Sequence, residues 1–392
     1  MEPLTPRRDV LESIRDYFEL ECRDGVSRRK DAWRKISGDF IRTPDGSWTL
    51  ESSPGGEAMH TRSGAITESL EKFVKPAVPS DAERIRVLDL CSGLGYNTAA
   101  LLDHTGASEV EVDMVEISAE TMAAALLVPS PIEAHEIVRS AYEEFLIERG
   151  FVCVRTTMGV PKNIHIRVHN DDARRVVAEL EAGSYDAIFL DAFSPMRAPE
   201  LYTVEFISIL AELLKSDGVI ATYTSAAPFR AALLEAGLYV GRGPVFGRRS
   251  GGTLASHDPE MIKTPLGWAD ERMIALSDAG IPFRDPELSR APDEIIEIRR
   301  RDRMAARNLT RLSSAVKTPL YLGRNVPEDR NGRRVRRNLE RAGIMDSMGR
   351  EACYIICPQS PECICGCGEK GPLNSGERII MMRRRLEEVM GV

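Results

Sequence analysis

From Arg86 onward, short apolar runs alternate with stretches of helical period, and this alternation restricts the fold more than any other feature of the chain. Strands are expected at residues 86–91, 110–117, 164–168, 185–191 and 219–224. Helices are expected at 96–104, 132–148, 172–181, 204–215 and 226–236. Runs at 239–245 and 253–256 close the series as a hairpin. Strands separated by helices imply an α/β, doubly wound, mostly parallel sheet, here with an antiparallel hairpin at its edge. Val128-Pro129-Ser130-Pro131 is a break, because two prolines so close cannot sit inside a helix. The 132–148 helix after it is one that a minimal α/β domain lacks.

The flanks differ in character. Residues up to about 37 are charged, with Val10, Ile14, Tyr17 and Phe18 at helical spacing. Phe40-Ile41-Arg42, a Pro44-Asp45-Gly46-Ser47 turn and Trp48-Thr49-Leu50 read as a hairpin, and a short helix is expected at 67–73. After His257, residues 261–302 are rich in proline and acids, 299–341 in arginine, and a basic helix is expected at 377–389. Three regions follow: 1–80, helical and hairpin; 81–257, the α/β domain; and 258–392, a basic, cysteine-containing extension. The net charge of -8 argues against a surface that coats nucleic acid everywhere, while allowing a local basic patch. No apolar run approaches the roughly 20 residues of a membrane span. Residues 1–10 lack the apolar core of a secretory signal. The expected setting is cytoplasmic, without membrane contact, where disulfides are uncommon.

Val87-Leu88-Asp89-Leu90-Cys91-Ser92-Gly93-Leu94-Gly95 carries the first strand into a glycine turn, followed by Tyr96 and Asn97 at a helix start. Gly93 and Gly95 tolerate unusual backbone angles and let a ligand approach, and the helix N-terminus presents free N–H groups. Glu116, about 20 residues on, is placed to accept both hydroxyls of a ribose. A dinucleotide site would place a third glycine where Thr98 stands. Asp89 suits the ammonium of a methionine moiety. S-adenosylmethionine is therefore the expected cofactor. Asp172 is a candidate for the adenine amino group or, equally, a helix N-cap.

The fourth strand ends in Asp191-Ala192-Phe193-Ser194-Pro195. In open α/β sheets ligands bind beyond the carboxyl ends of the strands, so Asp191 is the candidate catalytic residue. This motif, Thr222-Tyr223-Thr224-Ser225-Ala226, Arg230, Glu235-Ala236-Gly237 and Phe246-Gly247-Arg248-Arg249 resemble the methyltransferase of the MnmC family. So do Thr43, Asp45-Gly46-Ser47, Thr49-Leu50, Glu57, His60, Gly64-Ala65 and Glu68. The resemblance covers residues 39–256. It implies a class I, Rossmann-like methyltransferase fold and N-methylation of 5-aminomethyl-(2-thio)uridine at the tRNA wobble position. It also implies tRNA as partner and Glu68 as a further cofactor residue. Phe193, Tyr223, Arg248 and Arg249 are the candidate substrate contacts. Family members often carry an oxidase domain; no second glycine fingerprint follows Ser256, so an oxidase or other pathway protein would act as a separate partner.

Arginines between Arg299 and Arg341 serve either phosphate contacts or internal ion pairs, since acids are interleaved. Cys353, Cys357, Cys363, Cys365 and Cys367 cluster tightly, as thiolates holding zinc or an iron–sulfur cluster would. Cys22, Cys91 and Cys153 are scattered. The rival enzyme class is an aminopropyltransferase of the spermidine synthase type, suggested by Leu201-Tyr202-Thr203-Val204-Glu205-Phe206. That class wants a Gly-Gly-Asp-Gly run where Ser92-Gly93-Leu94-Gly95 stands. A tRNA- or metal-binding protein on an inert scaffold is the non-enzyme rival, opposed by the joint presence of Asp89, Glu116 and Asp191.

Overall fold

The computed structural model describes residues 7–51, 58–247, 251–372 and 374–392. Two N-terminal helices, Arg8–Asp24 and Arg29–Ile36, precede the small antiparallel hairpin of β1 (Ile41–Arg42) and β2 (Trp48–Thr49). The main sheet then contains β3 (Arg84–Leu90), β4 (Glu109–Val115), β5 (Ile164–His169), β6 (Tyr185–Leu190), β7 (Leu214–Thr222), β8 (Tyr239–Arg242) and β9 (Thr253–Ser256). Its order is β5-β4-β3-β6-β7-β9-β8. β3 pairs in parallel with β4 on one side and β6 on the other, so the winding reverses there and opens a crevice at the carboxyl edge. β9 runs antiparallel to both β7 and β8, as the terminal hairpin requires.

Successive side chains of a strand point to opposite faces, and this divides the core in two. Val87, Ala187, Phe189 and Ala221 lie in a cluster with Ile14, Phe18, Tyr96, Val138 and Tyr142 from the N-terminal half. Leu88, Ile188, Leu190 and Ile220 lie in the other, with Phe206 and Phe229. Leu276, Phe283, Ile295, Leu322, Val335, Ile355, Met382 and Leu386 from the C-terminal region share that second cluster. The extension thus helps cover one face of the sheet.

Several elements differ from expectation. The 172–181 helix is only Ala173–Val177, and β7 begins at Leu214 rather than Val219. An unanticipated helix, Ala119–Ala125, is capped by Ser118, whose hydroxyl accepts from Thr121 N. The 67–73 helix is longer, running Ala65–Ser69, a wide π-turn Leu70–Val74 and Lys75–Ala77. Cys22 and Cys153, 131 residues apart, form a disulfide. It ties the end of the first helix to the loop after Ala134–Glu148, and no local spacing announces it. Among the described residues no helix is long and apolar enough to cross a membrane.

The long helix Ala134–Glu148 packs on the glycine turn. Tyr142 Oη donates to Ser92 Oγ at 2.9 Å and lies 3.2 Å from Gly93 O. His135 Nε2 donates to Leu94 O at 2.7 Å. Gly95 sits at φ +81°, and a Cβ there would collide with Val138 Cγ1. Gly95→Ala should therefore lower stability by roughly 1–3 kcal/mol in urea unfolding, with part recovered by adding Val138→Ala. An unchanged midpoint would refute the packing role.

Candidate active site at the carboxyl edge of the sheet

A half-enclosed cleft opens at the carboxyl ends of the parallel strands, where open α/β sheets bind their ligands. Its walls include Cys91 after β3, Glu116 after β4, Asp172 after β5, Asp191 and Phe193 after β6, and Tyr223 after β7. His60, Asp171 and Glu200 also line it.

The turn that forms the floor holds Cys91, Gly93 and Gly95 all at positive φ: 61°, 54° and 81°. This turns Gly93 N toward Glu116 Oε2, 3.0 Å away. Glu116 Oε1 accepts from Ser118 N at 2.9 Å. Burial raises the Glu116 pKa against these backbone bonds. Burial, with the surrounding carboxylates, pushes the Cys91 thiol well up, so it stays protonated.

Asp89 is fully buried behind this floor. Its Oδ2 accepts from Thr98 Oγ1 at 2.7 Å, and its Oδ1 faces Asn97 Nδ2 at 3.4 Å. The same Asn97 amide donates to Asp191 Oδ2 at 3.0 Å. One amide therefore links the two carboxylates and fixes how Asp191 faces the cleft. Burial pushes the Asp89 pKa up to about 6, against the bonds from Thr98 and Asn97.

Asp172 lines the cleft and also caps Ala173–Val177, accepting from Arg174 N. Burial raises its pKa, and the Arg174 guanidinium 2.7 Å away outweighs this, leaving it below the ordinary value. Burial raises Glu200, whose Oε2 has no hydrogen-bond partner among the described residues. Burial lowers His60, which is therefore neutral at physiological pH.

Of the eight cofactor residues expected from sequence, Glu116 and Asp172 line the cleft. The other six are not among its lining residues. Tyr96 Oη accepts from Trp48 N at 3.1 Å and anchors the β1–β2 hairpin. Glu68 accepts from Thr61 N at 2.7 Å and pairs with Lys72 Nζ at 3.0 Å, holding the loop that carries His60. Asp89, Gly93, Gly95 and Asn97 shape the floor as described above. Arg248, Arg249 and Glu57 lie outside the described residues. Sequence reasoning gave no role to Cys91 or Glu200, and His60 stood out only as a position in the family pattern.

The N-terminal family positions form a polar knot. Asp45 Oδ1 accepts from Thr43 Oγ1, Ser47 N and Ser47 Oγ, and Oδ2 from Thr67 N and Oγ1. These bonds hold the Asp45 pKa down at about 2 in spite of burial. Thr49 Oγ1 accepts from His60 N, so the hairpin places His60 at the cleft.

This strand order, with an acidic cleft at the switch point, defines a class I methyltransferase. Residues 132–258 match the model of a family described as S-adenosyl-L-methionine-dependent methyltransferase. MnmC2 from Aquifex aeolicus is similar in structure, with a TM-score of 0.54 and 30% identity over 75% of this chain and 99% of that one. The uncharacterized protein MJ0670 of Methanocaldococcus jannaschii is 33% identical over 334 residues, 84% of this chain and 91% of the relative. The tRNA 5-methylaminomethyl-2-thiouridine biosynthesis bifunctional protein MnmC of Ralstonia nicotianae is 36% identical over 111 residues, 27% of this chain and only 17% of that protein. The chain belongs to the MnmC2-like family of S-adenosylmethionine-dependent methyltransferases.

A carboxyl with a raised pKa binds its proton more tightly folded than unfolded. The stability Asp89 contributes is therefore present below pH 3.8 and lost as pH rises through about 6. Asp89→Asn should flatten the fall in Tm across that window. Equal slopes in the two proteins would rule this out.

Proposed function

We propose that the protein methylates the aminomethyl nitrogen of a wobble uridine in tRNA. The observation that carries this reading is Asp191, held by Asn97 at the mouth of an acidic cleft and flanked by Phe193 and Tyr223. The cleft fits S-adenosylmethionine: Glu116, Asp171, Asp172, Asp191 and Glu200 stand among largely apolar walls with no Lys or Arg among the described lining, and buried Glu200 Oε2 has no partner among the described residues. Bound there, the cofactor supplies an electrophilic methyl on a sulfonium. Glu116 would hold the ribose hydroxyls, and Asp172 would take the adenine amino group. Asp89 acts from behind, by orienting Asn97.

Methyl transfer to the amine would form an N–C bond at the expense of the cofactor's C–S bond and leave a proton on nitrogen for this chain to remove. An alkyl ammonium titrates near the lysine value of about 10.4, so the free amine is scarce at neutral pH. Asp191 accepts a hydrogen bond from it, points its lone pair at the methyl and takes the departing proton. Phe193 and Tyr223 flank the uracil ring.

RNA binding draws on the helix Arg330–Glu340. Arg330, Arg333, Arg334, Arg337 and the adjoining Arg341 are exposed and make no ion pair with a described residue. The arginines before them do the opposite: Arg303 and Arg307 pair with Asp278 at 3.0 and 2.7 Å, and Arg311 with Glu387 at 2.9 Å. Arg299 is buried against Ile281 O and Ala279 O. The basic region thus splits into a largely paired stretch and a helix whose arginines, apart from Arg336 paired with Glu328 at 2.9 Å, make no ion pair with a described residue.

The deciding experiment supplies labelled S-adenosylmethionine and tRNA bearing the unmethylated aminomethyl group, followed by nucleoside analysis. Label in the wobble nucleoside is expected; label only in a small amine would overturn the reading. Asp191→Ala should lower kcat by roughly 10²-fold or more while changing cofactor affinity little. Unimpaired turnover would remove its role. Arg333→Glu with Arg337→Glu should weaken tRNA binding and reduce the salt slope of log Kd by roughly one per arginine. An unchanged slope would place the RNA elsewhere.

A further inference from the structure

Four thiols outside the cleft converge on one point. We propose that Cys357, Cys363, Cys365 and Cys367 bind a single zinc ion in a closed, tetrahedral, all-thiolate site. Their sulfurs all lie within 4.8 Å of one another. Cys363 Sγ is 3.9 Å from Cys357 Sγ, 3.9 Å from Cys365 Sγ and 3.6 Å from Cys367 Sγ. Zinc–sulfur bonds of about 2.3 Å in a tetrahedron put the sulfurs ~3.8 Å apart, which these spacings match. An iron–sulfur cluster spreads its cysteines over two or more irons and so cannot have all four sulfurs this close together.

The local chain is shaped for such a centre. An extended Cys-x-Cys-x-Cys would separate alternate residues by about 6.6 Å. Here Gly366 and Gly368 adopt φ of 85° and 75°, and the curled loop brings the sulfurs together. Backbone N–H groups also point at them: Gly368 N lies 3.2 Å from Cys363 Sγ, and Ile364 N lies 3.4 Å from Cys357 Sγ. Such donors stabilise thiolate rather than thiol.

The charge balance agrees. Four thiolates around a divalent cation leave two negative charges. Arg385, 2% exposed, places Nη2 3.6 Å from Cys367 Sγ and Nη1 4.0 Å from Cys365 Sγ. It is steadied by Glu369 at 2.6 Å and Tyr354 O at 2.9 Å. A buried cation turned toward the ligand sulfurs is the kind of outer-shell partner that tunes a metal site. Soft thiolates favour zinc over oxygen-seeking cations, and with four protein ligands no position remains for substrate. The ion would join the end of Arg350–Ile356 to the loop before Ser375–Met390. Cys353, grouped with the others by sequence spacing, stands apart, its thiol 3.6 Å from Met348 O. It is excluded as a ligand.

The test uses the full chain, freed of any affinity tag and purified without chelator. Elemental analysis should find about one zinc per chain, and replacement by cobalt should give the visible spectrum of a tetrahedral thiolate centre. Cys363→Ser with Cys367→Ser should lose the zinc, while Cys353→Ser keeps it. Iron with acid-labile sulfide, a metal-free chain, zinc lost from Cys353→Ser, or an octahedral cobalt spectrum would each overturn the proposal. The cobalt spectrum of the unaltered chain decides the matter even if the cysteine variants do not fold.

Discussion

The backbone turn from Cys91 to Gly95 is the constraint on which the rest of the structure depends. A non-glycine residue in the left-handed region costs on the order of 1 kcal/mol or more, and Cys91 adopts it at φ 61°. The turn persists because its surroundings hold it from every side. Ser92 N donates to Val115 O at 3.0 Å and Gly95 N to Ser92 O at 2.7 Å. Tyr142 and His135 grip it from the long helix above, and Glu116 receives Gly93 N from the neighbouring strand. A helix that looks like an insertion in the sequence is therefore what clamps the cofactor-side turn.

The electrostatics of the cleft follow from burial. Asp89, Glu116 and Glu200 are all pushed above their ordinary pKa values, first by loss of solvent. Arg174, beside Asp172, is already committed to it and to Asp285. His60 is held neutral and adds no charge. Carboxylates crowded into a half-enclosed space are relieved by a positive ligand. A sulfonium cofactor with an ammonium tail, followed by an amine substrate, has the matching sign. The same field disfavours a phosphate inside the cleft.

Most of the sheet was legible because β6 and the end of β7 carry apolar runs buried on both faces, as central parallel strands do, while β4 and the edge strand β5 alternate apolar and polar residues with period two. Element ends were less so: Ala173–Val177 is shorter than its pattern, since capping by Asp172 fixes where it starts and nothing in the pattern fixes where it stops. The cleft was legible in the residues that end strands, Glu116 and Asp191. It was not in those that end nowhere special. Tyr96 and Asp89 were read from the ligand motif and Glu68 from the family pattern, and neither source shows the bonds that hold these side chains in the fold. Their bonds to Thr61, Trp48 and Thr98 are long-range or fold-dependent. The Cys22–Cys153 pairing was invisible for the same reason, being set by the packing of two helices far apart in sequence.

Charge decides how a polyanion could approach this enzyme. The chain is net negative at -8, and its cleft is acidic, so neither the overall field nor the reaction centre draws in RNA. Attraction has to be local. On Arg330–Glu340, Val335 and Leu339 are buried in the core that the extension shares with the sheet, which turns Arg333, Arg334 and Arg337 outward. The arginines of Pro292–Ala306 and the loop after it are instead spent on Asp278 and Glu387. On the proposed tRNA reading, phosphates would be gripped at Arg330–Glu340 and only an exposed base and its amine would enter the cleft. A nucleotide in an unpaired loop meets that demand with little unstacking, whereas one inside a duplex must first be extruded.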